Sequence, residues 1–147
     1  MREVNENLRL LIRAGSHFCA LQLSDVVETM RPLPVEPLSG APQCVRGLCL
    51  IRGAPVPVVD LAELLGDAAP GPWTRFVCVR AGPRTVALAV TAVLGPSDLP
   101  PSLLSTMPPL LRDAQSDIIE AIASLDAQLF LVLKSASLLP ADEIPAA

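Results

Sequence analysis

The sequence predicts a mainly β protein: two intertwined five-stranded β-barrels, related by a pseudo-twofold axis and accompanied by short helices. Short apolar strands recur at even spacing, with glycine-containing turns between them. The pattern of strands and turns occurs twice along the chain. Strands this short and this regular favour small closed barrels over an open sheet, because closure removes exposed edges.

The repeat is visible when the chain is compared with itself. Leu10–Gly15, with the sequence LLIRAG, resembles Val77–Gly82, with VCVRAG, and each segment starts a predicted β-hairpin. Further along, Val58–Asp60 resembles Val132–Lys134, and a Leu-Leu pair follows each segment. Each half is therefore predicted to contain a hairpin, a connection, a second hairpin and a short helix.

The composition predicts one folded domain. Apolar residues make up 51% of the 147 residues and charged residues 18%, which excludes a disordered chain. We expect a single domain over residues 1–147, with lobes at approximately 14–70 and 71–135. The termini are expected to be exchanged between the two lobes, as intertwined barrels require.

The central segment, Val45 to Gly66, reads VRGLCLIRGAPVPVVDLAELLG. Arg52 and Gly53 separate two apolar strands, and glycine supplies the positive φ that a two-residue hairpin turn needs. Arg52 is therefore predicted at the hairpin tip, facing solvent. The prolines at 55 and 57 remove two N–H donors from one side of the second strand, so that side is predicted not to pair with another strand.

A short helix is predicted directly after this strand. Asp60 is a typical N-cap residue, and Glu63 three positions later predicts a capping box. Gly66 is suited to the C′ position, where a left-handed conformation ends many helices.

The two halves differ at residues that can contact a partner. In the first half, Glu28 is predicted to end a short helix, whereas Gly95 occupies the matching position in the second half. The tip residue Arg52 has Asp126 as its counterpart. This asymmetry predicts that the interaction site lies in the first half.

The pattern G-x-x-x-[LI]-R-G-x-x-[VI]-P-[VI]-V-D-L runs from Gly47 to Leu61 and resembles the CheW-like coupling proteins of bacterial chemotaxis. The similarity extends upstream to Cys19–Glu28, with its V-x-E ending, and downstream to Leu129–Lys134. One departure is Leu50, where the family often carries asparagine.

The resemblance implies SH3-like barrels and a non-enzymatic adaptor that couples methyl-accepting chemotaxis receptors to a CheA-type histidine kinase. The expected partners are the cytoplasmic tip of a chemoreceptor and the regulatory domain of the kinase. A groove between the two barrels would bind the receptor tip, and Val27, Glu28, Arg52 and Gly53 would lie at or beside this groove. The protein would be cytoplasmic and recruited to receptor arrays at the membrane. The alternative within the family is a scaffold of a non-flagellar chemosensory pathway with a different signalling partner.

Two of these residues also have structural interpretations. The alternative for Arg52 is a solvated turn arginine without a partner, and Glu28 could pair with it inside the protein instead of contacting a partner. A surface ion pair of this kind adds little to stability. Val26 and Val27 are expected to divide between core and surface on the predicted short helix.

Several classes of function are disfavoured. A net charge of −4 and a single lysine argue against nucleic-acid binding, which needs a basic face. The apolar runs are too short for membrane insertion. Four cysteines without a C-x-x-C spacing and one histidine predict no metal site, cofactor or catalytic residue. A small-barrel enzyme or a ligand binder with an internal cavity is the alternative from a different class.

Overall fold

The structure, a computed structural model, describes residues 6–67, 72–106 and 117–139. Within these ranges the chain forms eleven β-strands, one α-helix and three 3₁₀ turns. The strands are β1 (Leu8–Ala14), β2 (His17–Gln22), β3 (Val26–Met30), β4 (Val45–Ile51), β5 (Ala54–Asp60), β6 (Arg75–Ala81), β7 (Arg84–Val90), β8 (Ala92–Asp98), β9 (Leu104–Ser105), β10 (Ile119–Leu125) and β11 (Gln128–Leu133). The helix α1 is Leu61–Leu64, and the 3₁₀ turns are Leu23–Asp25, Pro101–Leu103 and Ser135–Ser137.

The strands form two sheets, and each sheet contains strands from both halves of the chain. The first sheet has the order β3-β6-β7-β5-β4, and we call the unit that it forms barrel 1. The second has the order β8-β1-β2-β11-β10-β9 and forms barrel 2. Barrel 1 thus takes the hairpin β6–β7 from the second half, and barrel 2 takes β1–β2 from the first. The barrels are intertwined through this exchange.

The strand pairing follows the internal repeat. β5 runs parallel to β7 in barrel 1, and β11 runs parallel to β2 in barrel 2, while the other neighbours are antiparallel. The predicted fold class is confirmed. A two-residue sixth strand, β9, extends barrel 2, and an isolated bridge between Glu36 and Leu48 occupies the corresponding position in barrel 1.

Alternation along the strands divides the buried side chains among three apolar clusters. In β1, Leu10 and Ile12 belong to a large cluster shared by both barrels, whereas Leu11 lies in the interior of barrel 2. A period of two produces this division because successive side chains point to opposite faces of a strand. The interior of barrel 1 is formed by Cys49, Val56, Val58, Phe76, Cys78, Ala87 and Ala89.

The proline-rich segment between β3 and β4 packs across barrel 1. Leu33 and Val35 contact the barrel interior, and Glu36 exchanges backbone hydrogen bonds with Leu48 at 2.7 and 2.8 Å. A Cβ atom on Gly47 would lie 2.0 Å from the Glu36 carbonyl oxygen, and the φ of Gly47 is 144°. Glycine is therefore required here for close approach of two backbones.

The prediction that the prolines leave one side of β5 unpaired is wrong in part. β5 is an inner strand that pairs with β4 on one side and with β7 on the other. However, its ladder with β7 begins only at Val58, after both prolines. Pro55 and Pro57 therefore restrict the second pairing to the last residues of the strand, because they lack the N–H donors that a longer ladder would use.

The predicted helix is present, but only half of its capping box forms. The Asp60 carboxylate accepts a hydrogen bond from the Glu63 N–H at 3.2 Å, and Gly66 follows the helix with a φ of 86°. The reciprocal bond is missing because the Asp60 N–H donates to the Cys44 carbonyl. The Glu63 carboxylate contacts Arg46 instead.

The division into lobes stays a prediction, and its boundary at 70/71 lies outside the described residues. None of the helices that the structure describes is long and apolar enough to cross a membrane.

Candidate functional site

The tip of the β4–β5 hairpin presents Arg52 to solvent, as the sequence predicts. Arg52 and Gly53 have φ values of 53° and 80°, so both residues of the turn are left-handed. Two-residue hairpins favour this geometry because its twist matches that of the strands. A positive φ was predicted for Gly53 alone, whereas Arg52 adopts one as well. The Arg52 side chain is 73% exposed.

Glu28 lies on β3, not at the end of a helix. The helical part of this region is only the 3₁₀ turn Leu23–Asp25, and the extended chain begins at Val26. A Val-Val-Glu-Thr run has strong β propensity, which outweighed the helical prediction. Val26 packs against the shared core and Val27 is exposed, so the division between core and surface is correct although the element is not.

Glu28 and Arg52 form a bidentate ion pair. Arg52 Nη2 donates to Glu28 Oε1 at 2.9 Å, and Nη1 donates to the second carboxylate oxygen. The guanidinium fork matches the two carboxylate oxygens, which fixes the orientation of both side chains. β3 and the β4–β5 hairpin form opposite margins of the first sheet, so this pair connects the two margins of barrel 1.

The ion pair changes the protonation equilibria of both groups. Hydrogen bonding from Arg52 lowers the pKa of the Glu28 carboxyl, and the same contact raises the pKa of the guanidinium. Both groups are therefore charged at neutral pH. The Glu28 side chain is 24% exposed, much less than that of Arg52.

Each residue of the ion pair has an exposed apolar residue close to it in the sequence: Val27 next to Glu28, and Leu50 two positions before Arg52. Val27 is 44% exposed and Leu50 is 68% exposed. Val27 is the extra residue of a β-bulge, because the register of β3 against β6 skips from Val26 to Glu28. A bulge of this kind redirects a side chain away from the sheet. The surface of Val27, Glu28, Leu50, Arg52 and Gly53 is called the tip surface below.

Barrel 2 carries a different set of residues at the equivalent positions. Its hairpin tip consists of Asp126 and Ala127, which have φ values of 51° and 65°. Gly95 stands where Glu28 stands in barrel 1. Leu94 and Leu129 are exposed, and Leu94 occupies a β-bulge equivalent to that of Val27. The tip of barrel 2 therefore has exposed apolar side chains, and its described residues form no ion pair.

A polar cluster beneath the hairpin was missed in the sequence. Arg46 Nη2 lies 3.1 Å from the Asp60 carboxylate and also contacts Glu63, while the Trp73 indole N–H donates to Asp60 at 3.3 Å. These contacts satisfy a carboxylate that is almost fully buried. The signal was the pair of acidic residues at 60 and 63, which was assigned to backbone capping alone. The cluster fixes the base of the β4–β5 hairpin and so supports the tip surface.

The four cysteines, at 19, 44, 49 and 78, are reduced, and each packs with apolar side chains. Burial raises the pKa of Cys19 to about 12 and that of Cys78 to about 11, where the negative charge of Glu28 adds to the effect. Both thiols are protonated at neutral pH and are poor nucleophiles. Across the described ranges, no group of three or more His, Cys, Asp or Glu side chains is arranged to hold a metal ion.

Comparison with known proteins agrees with this fold. The family model described as CheW-like domain matches residues 9–143. Two curated relatives are the chemotaxis protein CheW of Rhizobium meliloti (strain 1021), 26% identical over 94% of this chain and 90% of its own length, and the probable chemotaxis protein CheW of Rhizobium etli, 25% identical over 100% and 97%.

A solved structure, the scaffolding protein TtCheW from Thermoanaerobacter tengcongensis, superposes with a TM-score of 0.80. It is 21% identical and covers 88% of this chain and 89% of its own, a likeness that concerns the fold. Proteins of the matched family are scaffolds and adaptors, not enzymes. The chain belongs to the family of CheW-like domains and is a chemotaxis coupling adaptor.

Proposed function

We propose that this adaptor couples methyl-accepting chemotaxis receptors to a CheA-type histidine kinase and that its tip surface binds the receptor. The observation that carries the proposal is the bidentate Glu28–Arg52 pair, which has no counterpart among the described residues at the equivalent tip of barrel 2. Duplicated architecture accounts for the two barrels, whereas an ion pair on one tip is what a site for one partner would need.

The chemistry of the tip surface suits a protein partner. Val27 and Leu50 supply exposed apolar area, which contributes affinity when it is removed from water. The ion pair holds Arg52 in one orientation before binding, so less side-chain freedom is lost on association. The guanidinium has five N–H donors, and the contact with Glu28 uses two of them. A partner carboxylate or carbonyl could be bound by the remaining donors.

The kinase would bind elsewhere on the adaptor. Its regulatory domain is expected to dock on the ends of the barrels, which leaves the tip surface for the cytoplasmic tip of the receptor. The adaptor would work in the cytoplasm and would be recruited to receptor arrays at the membrane. Each contact is modest, and many linked contacts give the array its strength.

The receptor contact is tested by calorimetric titration of the adaptor with a soluble fragment of the receptor tip. Arg52→Asp places two carboxylates together and is expected to weaken binding by more than about tenfold. Asp126→Arg, at the equivalent tip of barrel 2, is the matched control and should bind as the unchanged protein does. Equal affinity for Arg52→Asp and the unchanged protein would remove the tip surface from the receptor site.

A non-flagellar chemosensory pathway with a different signalling partner is the second candidate. Leu50 favours it, because this position is exposed on the tip surface and the family often carries asparagine there. If Leu50 selects another partner, Leu50→Asn should strengthen binding to a receptor fragment from a flagellar pathway. An unchanged or weaker affinity would count against this candidate.

A further inference from the structure

The segment between β3 and β4 has few backbone hydrogen bonds to barrel 1. Residues 31–40, which we call the strap, form no helix or strand, and their described pairing is the bridge between Glu36 and Leu48. The two hydrogen bonds of this bridge, at 2.7 and 2.8 Å, are the only backbone hydrogen bonds that the structure describes for the strap. In barrel 2, by contrast, β9 pairs with the equivalent edge of β10 at two positions. The strap is therefore attached less firmly than its counterpart.

Prolines explain why the strap pairs with β4 at one position. The antiparallel register of the bridge places Pro34 opposite Leu50, and Pro34 has no N–H group to donate to Leu50. The strap contains two further prolines, at 32 and 37, which also lack this donor. A longer ladder along β4 cannot form, so backbone pairing holds the strap to the sheet at Glu36.

Two apolar side chains of the strap pack against the interior of barrel 1. Leu33 and Val35 are half-buried there, and the same interior contains the thiols of Cys49 and Cys78, which are 2% and 1% exposed. A segment with few buried contacts and few backbone hydrogen bonds separates from a fold at a lower free energy than global unfolding requires. The strap fits this description, whereas the strands around the interior are paired along most of their length.

The strap connects the same two margins of barrel 1 that the Glu28–Arg52 pair connects. It begins directly after Met30, at the end of the strand that carries Glu28, and its bridge lies on β4, whose hairpin carries Arg52. Among the described strands, β3 pairs with β6 and not with β4. The position of the strap therefore bears on the distance between β3 and the hairpin.

We propose that the strap is a movable element that opens locally while both barrels stay folded. In its closed position it holds β3 at the distance from the β4–β5 hairpin that the Glu28–Arg52 pair needs. Opening separates the two margins, weakens the ion pair and so lowers the affinity of the tip surface for the receptor. This last consequence rests on the proposed function, whereas the opening itself does not.

Opening is measured by the rate at which N-ethylmaleimide labels the native full chain. Peptide mass spectrometry identifies each labelled cysteine, and each rate is divided by that of the same cysteine in the urea-unfolded chain. Cys49 and Cys78 should react more than about tenfold faster than Cys19, which is buried in the shared core. Rates for Cys49 and Cys78 no higher than that of Cys19 would overturn the proposal, because all three thiols would then be exposed by global unfolding.

Two variants shift the strap toward its open position. A Cβ atom on Gly47 would lie 2.0 Å from the Glu36 carbonyl oxygen, so Gly47→Ala forces the strap away from β4. Leu33→Ala removes an apolar contact and serves if Gly47→Ala fails to fold. Each should speed labelling of the two barrel 1 thiols more than about tenfold and that of the core thiol much less.

Leu38→Ala is the matched control for Leu33→Ala. Leu38 lies on the strap but outside the cluster in the interior of barrel 1, so its removal should leave the labelling rates unchanged. If Leu33→Ala speeds labelling of all three thiols equally, or of none, the proposal is overturned.

Hydrogen exchange of the Leu48 amide, followed by NMR, tests the link to the ion pair. This N–H donates to the Glu36 carbonyl oxygen and so exchanges when the strap opens. If the ion pair stabilises the closed strap, the closed strap stabilises the ion pair equally, because coupling is reciprocal. Arg52→Gln should therefore speed exchange by about two- to fivefold, the modest effect of an exposed pair.

Asp126→Asn, at the tip of barrel 2, is the matched control and should leave the exchange rate of the Leu48 amide unchanged. An unchanged rate in Arg52→Gln would overturn the proposed link between the strap and the tip surface. Neither measurement involves the receptor, so a failure of the strap proposal and a failure of the proposed function are distinguishable.

Discussion

The two barrels share a strand order and differ in the chemistry of their tips. Barrel 1 ends in Arg52 and Gly53 with Glu28 beside them, and barrel 2 ends in Asp126 and Ala127. Both hairpins have the same left-handed turn, so the backbone conformation does not require the Glu28–Arg52 ion pair that barrel 1 carries. The difference shows that the residues that specify the fold are not the residues that distinguish the two tips. Repeated apolar alternation specifies the architecture, and residues that occur once give one tip its own surface.

The largest expected effect is the loss of stability when a charge is buried inside either barrel. It tests whether the two interiors contribute equally to the stability of the fold. Val58 and Val132 are fully buried at matching positions, one in each barrel. Replacing either with Asp buries a charge without a partner, which should lower the free energy of unfolding by about 4 kcal/mol or more. Urea denaturation followed by circular dichroism measures this loss. A large effect in only one barrel would break the equivalence, and Leu129→Asp on the surface is the control.

The next effect concerns a position where the barrels differ. Gly47 in barrel 1 corresponds to Ala121 in barrel 2, but a Cβ atom at 47 would collide with the Glu36 carbonyl. Gly47→Ala should therefore destabilise the fold by about 3 kcal/mol, because the crossing backbone must move.

Gly40→Ala provides the control for this collision. Gly40 also has a positive φ, of 79°, but open space surrounds its Cβ position. Gly40→Ala should lower the free energy of unfolding by only about 1 kcal/mol, which is the cost of the left-handed conformation for alanine. Equal losses at Gly40 and Gly47 in urea denaturation would show that the collision is relieved by a small shift.

The two hairpin tips allow a reciprocal exchange. Gly53 and Ala127 occupy the same left-handed position, with φ values of 80° and 65°. Gly53→Ala should destabilise the protein by about 1 kcal/mol, and Ala127→Gly should stabilise it by no more than that amount. Thermal melting shows whether each substitution lowers or raises the melting temperature. A stabilising Gly53→Ala would show that the turns are not equivalent.

The smallest effect is the pH dependence of the ion pair. Arg52 lowers the pKa of Glu28 in the folded state, so the contribution of Glu28 is present at neutral pH. It is lost as the pH falls below the ordinary value of 4.5 and through the lowered pKa. Glu28→Gln should reduce the loss of thermal stability on acidification. Asp126→Asn is the matched change on the other tip and is expected to have a smaller effect.

Much of the architecture could be predicted from local sequence signals. The hairpin between β4 and β5 has an unambiguous Arg-Gly turn between apolar strands, and the repeat predicted the matching hairpin. β3 was harder, because a segment of only five residues does not distinguish strand from helix by periodicity. Its pairing with β6 also depends on a distant part of the chain.

The candidate site could be predicted only in part. Arg52 stood out because it interrupts two apolar strands, and Glu28 stood out because the repeat has glycine at its counterpart. Their bidentate contact depends on how barrel 1 closes, which no local pattern encodes. A cavity between the barrels was not visible in the sequence for the same reason. Its wall combines four segments that are separate in the sequence.

The exchange of hairpins between the barrels has a consequence for the origin of the molecule. A polypeptide with a single copy of the repeat would hold three strands of one barrel and a hairpin that fits only another barrel. Two such polypeptides would complete each other by lending their hairpins, as in a domain-swapped homodimer. Fusion of the two genes would have allowed each copy to diverge, so that one half could acquire an ion-paired tip while both halves kept the fold.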